Sequence, residues 1–145
     1  MQSAARGLGL RLLVFNVTAD TEITPVFVTL VEHQAGAVLM GASSILIAKR
    51  DQILSHAARF VLPTMFGFSR DARAGGLLSY GPDFIEVLRQ IGVYAGRIVK
   101  GEKPADLAVV QPTKFEFVIN LKTAKALGLN VPPDLVAIAD EVMEE

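Results

Sequence analysis

Gln111-Pro112-Thr113-Lys114-Phe115-Glu116-Phe117-Val118-Ile119-Asn120-Leu121-Lys122-Thr123-Ala124-Lys125-Ala126-Leu127-Gly128-Leu129 is the stretch whose reading decides the fold. Phe115, Phe117 and Ile119 fall on one face of an extended segment, and Lys114, Glu116 and Asn120 on the other. Alternation with aromatic and β-branched residues predicts a strand. Asn120 is placed to cap a helix, because its side-chain oxygen accepts a bond from an orphan N–H of the first turn. Leu121, Ala124 and Leu127 then take up helical spacing, and Gly128 supplies the left-handed residue that ends the helix. The unit reads as strand, sharp junction, short helix, stop.

The same grammar extends upstream. Residues Met1 to Gly9 read as the tail of a helix stopped at Gly7 or Gly9, and Leu10 to Val17 as a strand. Asp20 or Thr24 caps a helix with Pro25 in its first turn and Ile23, Phe27, Leu30 and Val31 as its buried stripe. Ala35 to Met40 reads as a buried strand. Gly41-Ala42-Ser43-Ser44 opens a helix running to about Phe60, and Val61 to Phe66 reads as another strand. Asp71 to Gly76 is a polar, Gly-rich loop, and Leu77 to Tyr80 a short apolar segment. Gly81-Pro82 opens the longest helix, whose stripe is Phe84, Leu88, Ile91, Ala95 and Ile98 and whose stop is Gly101. An extended connection, Glu102 to Pro112, leads into the strand–helix unit. Pro132-Pro133-Asp134 opens a last helix with Leu135, Ile138, Ala139 and Val142 inward. Repeated strand–helix alternation predicts an α/β fold with a mainly parallel sheet flanked by helices.

Composition agrees with this class. The chain has 145 residues, a net charge of −1 and 51% hydrophobic residues, with a mean hydropathy of +0.41. Such apolar content suits a sheet covered on both faces, or a surface meant to be buried by something else. No basic excess points to nucleic acid. The chain has no cysteine, so it carries no disulfide framework and no thiol chemistry. No apolar run reaches the roughly 18 residues of a membrane span. Met1 to Arg6 lacks the charged-then-apolar order of a signal peptide, which places the chain in the cytoplasm if it is translated as given.

Catalytic signatures are missing. His33 and His56 lack metal-binding spacing, so no metal is expected. Gly41-Ala42-Ser43-Ser44-Ile45 lacks the second glycine of a nucleophile elbow. Gly7-Leu8-Gly9 precedes a strand, so it is not a dinucleotide fingerprint, and no cofactor is expected. The ends of strands in open α/β sheets instead point to ligand binding at Ala42 to Ser44, at Phe66 to Ser69 and at Ser79 to Asp83. The hydroxyls of Ser43, Ser44 and Ser79, with Asp83, supply polar contacts there. Phe66, Phe68 and Tyr80 supply an apolar wall. Two other readings stand beside a binding role. One is an α/β enzyme using Ser43 or Asp83. The other is a self-contained small α/β domain that forms a homodimer through an exposed sheet or helix surface.

The Gln111–Leu129 string resembles the C-terminal signature of a bacterial ABC-transporter substrate-binding protein family with a two-lobed, periplasmic-binding-protein-like type I fold. Further similar segments are Ala4-Ala5-Arg6-Gly7-Leu8-Gly9-Leu10, the glycine-rich Gly75-Gly76-Leu77-Leu78-Ser79-Tyr80-Gly81-Pro82, Lys100 to Leu107, and Pro132 to Val142. The resemblance implies a periplasmic solute receptor that closes two lobes on a small, amino-acid-like organic solute and delivers it to an ABC permease, without catalysis. It further implies a division into 1–80 (second lobe), 81–112 (crossover helix and return toward the first lobe) and 113–145 (closing strand and helices). Members are about twice this length, so the chain corresponds to a truncated C-terminal portion without the N-terminal lobe. In relatives the loop at Gly41–Ser44 often carries Pro and Asp, where this chain has Ala and Ser. Two expectations follow from the resemblance. A central strand should be absent between Leu10–Val17 and Ala35–Met40, and the stripe of the helix after Pro82 should lie exposed.

Overall fold

The computed structural model describes residues 1–144. The chain opens with α1 (Gln2–Gly7), ended by Gly9 at φ +69°. Residues 10–18 form neither helix nor strand. A 3-10 turn at Asp20–Glu22 leads into α2 (Ile23–Glu32). Then come β1 (Val38–Leu39), α3 (Ser44–Ala48), α4 (Arg50–Arg59), β2 (Thr64–Phe66), α5 (Ser69–Arg73) and β3 (Leu78–Pro82). The long α6 (Phe84–Val99) and a return segment follow. The chain closes with β4 (Phe115–Asn120), α7 (Leu121–Ala126), α8 (Pro133–Ala137) and β5 (Glu141–Met143).

The five strands form one sheet in the order β1-β2-β3-β4-β5. β1, β2 and β3 are parallel, β4 runs antiparallel to β3, and β5 runs parallel to β4. The sheet is therefore mainly parallel, as its sequence implied. Its main core joins Ile23, Phe27 and Leu30 of α2 to Ile53 and Ala57 of α4 and to Leu62 and Phe66 at β2. Burying each such large side chain contributes about 1.5–3 kcal/mol.

Four local expectations are corrected. Leu10 to Val17 is not a strand. Backbone groups pair into a ladder only where a neighbour exists, and the sheet begins at β1, with no further strand beyond it among the described residues. Arg11 Nη2 instead donates to His33 O at 3.2 Å, while Leu10, Leu12, Val14 and Phe15 lie exposed. The helix expected from Ser44 to Phe60 is two helices, parted at Lys49. The loop expected at Asp71–Gly76 contains the end of α5, which presses the buried Ala72 against the sheet. Finally, the last helix ends at Ala137, leaving Ile138 exposed, and Val142 lies in β5. Asp140 makes that turn: its N–H donates to Phe117 O and its Oδ2 accepts from Phe117 N–H, at 2.9 and 2.8 Å.

The decisive unit forms as read. Asn120 Oδ1 accepts from Thr123 N–H at 2.9 Å, capping α7. Asn120 Nδ2 also donates to Ala72 O at 3.0 Å, tying β4 to α5. Gly128 takes φ +69°.

α6 stands apart from this lobe. None of its residues is buried, and Leu88 and Ile91 are 52% and 57% exposed. The return segment is fastened to α6 itself: Tyr94 Oη donates to Ala108 O at 2.6 Å, and Arg97 grips Glu102. Val109 and Val110 remain exposed beside it.

Candidate functional site

The carboxyl ends of β1, β2 and β3 point the same way because these strands are parallel. Residues 41–44, 67–69 and 80–83 therefore gather at one end of the sheet. Gly81 permits this convergence. An added Cβ there would lie 1.9 Å from Gly67 O, so only glycine lets the exits of β2 and β3 approach.

A small hollow opens at this end, with room for little more than a water (about 20 Å³). Ala42, Leu46, Phe66, Phe68 and Asp71 line it. The carboxylate of Asp71 was not singled out for a role in the sequence. Asp71 is buried, and among the described residues its carboxylate pairs only with Arg70 Nε, at 3.8 Å. Burial pushes its pKa up, with Arg70 and Arg50 partly opposing. A buried carboxylate with so little compensation is uncommon and marks Asp71 as a candidate site residue. No local sequence signal marked it, because Asp71 stands between Arg70 and Arg73 in a polar, Gly-ended segment.

The other sequence candidates divide by environment. Ser43 Oγ accepts from Leu46 N–H at 3.3 Å and caps α3, of which Ser44 is the first residue. Phe66 belongs to the core while also bordering the hollow. Phe68 meets Phe84 edge-on at 5.8 Å between ring centroids, and the Arg70 guanidinium sits 5.2 Å from the Phe68 ring. Tyr80 points to the opposite face of the sheet from Ser79. There it stacks on Phe115 at 5.5 Å and remains half exposed. Ser79 is fully buried opposite Phe66 and Val118, and its hydroxyl has no partner among the described residues. Ser79→Ala is expected to leave stability unchanged or raise it by up to ~1 kcal/mol, because it removes an unpaired buried hydroxyl; urea unfolding of the two proteins checks this.

Asp83 sits where the sheet hands over to α6. Its Oδ1 accepts from Ile85 and Glu86 N–H at 3.0 and 3.2 Å, and its Oδ2 pairs with Lys114 Nζ at 2.7 Å. Its N–H donates to Lys114 O at 3.0 Å. The Lys114 hydrogen bond, aided by the backbone donors, holds the Asp83 carboxyl below its ordinary range. A depressed folded pKa gives stability that is present above the unfolded value and is lost as pH falls through the folded one. Asp83→Asn is expected to flatten the loss of helical circular dichroism on acidification below about pH 4, while weakening the cap of α6 only slightly, since Asn caps as well as Asp.

The family described as "ABC transporter substrate binding protein" matches residues 1–143. No curated protein gives a significant match. A conserved domain protein from Vibrio cholerae O1 biovar El Tor superposes with a TM-score of 0.89 at 18% identity, over 97% of this chain and 47% of that one. An ABC domain in complex with L-Trp from Streptococcus pneumoniae gives 0.88 at 24%, over 97% and 48%. A ligand-free, open substrate binding protein with adhesive properties from Clostridium difficile gives 0.66 at 18%, over 99% and 48%. These likenesses establish a periplasmic-binding-protein-like fold. The chain spans about half the length of the solved structures it matches.

Proposed function

The chain belongs to the ABC transporter substrate binding protein family, and on that premise we propose that it forms the C-terminal half of a solute receptor for an ABC importer. The observation that carries this is the pairing of a strand-end hollow, too small to hold a solute by itself, with an α6 whose apolar stripe has no buried residue. One lobe offers half a cleft, and the other half is the surface that α6 and its return segment would meet. Closure of two lobes about a hinge at Asp83 and Lys114 would trap the solute without covalent chemistry. The chain acts as a receptor and not as an enzyme, in the periplasm, and hands its cargo to a permease.

The solute is amino-acid-like. Asp71 is the partner for its ammonium group, while Phe68 and Phe84 wall its apolar part. The L-Trp carried by the Streptococcus pneumoniae neighbour is of this chemical class. Asp71→Asn is expected to abolish solute binding by the assembled receptor while raising stability at pH 7 by about 1 kcal/mol, since it removes a poorly paired buried charge. Isothermal titration with L-tryptophan and urea unfolding read the two effects separately.

An antibody raised against Lys114–Leu129 should detect in native cells a species about twice 15.6 kDa. A species near that mass itself would overturn the half-receptor reading and favour a homodimer that covers the exposed faces with a second copy. Micromolar binding of an amino acid by the isolated chain would likewise overturn it.

A further inference from the structure

A larger hollow lies at the opposite end of the sheet, with a volume of about 410 Å³. Thr64 opens β2, Gly75 precedes β3, and Lys122 follows β4. The end of β4 lies beside the start of β3, with Leu78 opposite Ile119. All three lining residues thus sit at the ends of the strands remote from Ala42, Phe68 and Asp83. The volume falls within the range of about 300–1,000 Å³ seen for small-molecule sites.

Its walls are apolar. Leu54, Ala57 and Leu62 come from α4 and its exit, and Ala126 and Leu127 from α7 and its exit. The polar groups are few. The Arg73 guanidinium is already occupied by Glu141, Glu116 and Ser69. The Thr123 hydroxyl donates to Gly75 O at 3.0 Å. Two groups keep unused hydrogen-bonding capacity. Lys122 makes no ion pair among the described residues. Thr64 is 4% exposed; its hydroxyl oxygen receives Leu77 N–H at 3.4 Å, and the structure gives no acceptor for its own proton. A buried donor without an acceptor is costly unless something fills the role.

We propose that this hollow is a second ligand site, for a small amphipathic carboxylate. The apolar walls take a hydrocarbon or aryl body, Lys122 faces the negative charge, and Thr64 donates to an oxygen. No acidic side chain lines the hollow, so a ligand ammonium would go unpaired. The site therefore selects against free amino acids, the class assigned above to the other end of the sheet, and it is independent of that assignment. A ligand here touches both α4 and α7, so its binding favours the folded lobe by mass action.

The test is titration of the whole, isotopically labelled chain with 4-phenylbutyrate, using 4-phenylbutan-1-ol as the uncharged analogue and following backbone amide resonances. Saturable shifts are expected at Leu54–Thr64, Gly75 and Thr123–Leu127. The alcohol should bind about three- to fivefold more weakly, the scale of one exposed ion pair. Lys122→Glu should remove that preference with the fold intact. Ala58→Trp, which fills the hollow from an exposed position, should remove the shifts for both compounds. The proposal fails if the shifts do not saturate, if they centre on α6 or on Tyr80 and Phe115, or if Lys122→Glu leaves the preference unchanged.

Discussion

Gly81→Ala is expected to destabilise the lobe by about 3 kcal/mol or more, at the upper end of overpacking costs. The new Cβ would lie 1.9 Å from Gly67 O and 2.9 Å from Gly67 C. Both are backbone atoms, so no side-chain rotation relieves the clash. β3 is also held on its other side, where Gly81 pairs with Glu116 of β4. Relief requires β2 and β3 to part at the strand ends, which also pulls open the hollow beside Asp71. Gly92→Ala and Gly96→Ala serve as controls. Both glycines lie in α6 with nothing within 4 Å of an added Cβ, so each should raise stability by up to ~1 kcal/mol through helix propensity. Urea midpoints of the three variants decide the matter. A Gly81→Ala protein within about 1 kcal/mol of the parent would mean that the strand ends are looser than the structure has them.

The second large effect falls on Asn120. Asn120→Ala removes the cap of α7, costing about 1 kcal/mol. It also removes a buried hydrogen bond to the Ala72 carbonyl, which keeps only Gly75 N–H at 3.0 Å, costing about 0.5–1.5 kcal/mol more. A total loss of about 1.5–2.5 kcal/mol follows from these terms, because one side chain closes β4, starts α7 and holds α5. Asn120→Ser keeps an acceptor for Thr123 N–H but cannot reach Ala72 O, so it should show roughly the Ala72 share of the loss. Equal losses in the alanine and serine variants would show that the capping bond contributes nothing, against the 2.9 Å geometry.

These two positions also show what was legible in the sequence. Asn120 announced itself, since a strand alternation ending on Asn before helical spacing has one economical reading, and the structure adopts it. The stripe of α6 was legible for the same reason, as was its exposure, which followed from the family resemblance. Gly81 was read only as the opening of a helix. Its true constraint is a contact with Gly67, remote in sequence, and no local pattern encodes such a contact. Leu10–Val17 has the composition of a strand but not the neighbour that would make it one. β5 was hidden because Leu135, Ile138 and Val142 also satisfy a helical spacing, and the turn at Asp140 depends on Phe117 of another strand. In the site, the serines and Asp83 were visible as polar residues at strand ends, yet Ser43 and Asp83 spend their hydrogen bonds on local backbone and on Lys114, and the Ser79 hydroxyl has no partner among the described residues. Asp71 was masked by its place in what read as a polar loop. Its burial comes from α5 packing on β3 and β4, a tertiary event.

The doorway between Asp83 and Lys114 has a practical corollary. The chain leaves the sheet at one of these residues and re-enters at the other, and Asp83 N–H already donates to Lys114 O. Everything from Phe84 to Thr113 is thus an excursion that starts and finishes at the same point. The excursion takes with it the exposed stripe of α6 and the bare Val109 and Val110. A two-residue Asn-Gly turn has the twist needed to join antiparallel strands directly. Splicing one between Asp83 and Lys114 would turn β3 and β4 into an ordinary hairpin. The product would be a trimmed module that keeps both hollows and sheds much of the sticky surface, a tractable scaffold for engineering either pocket alone.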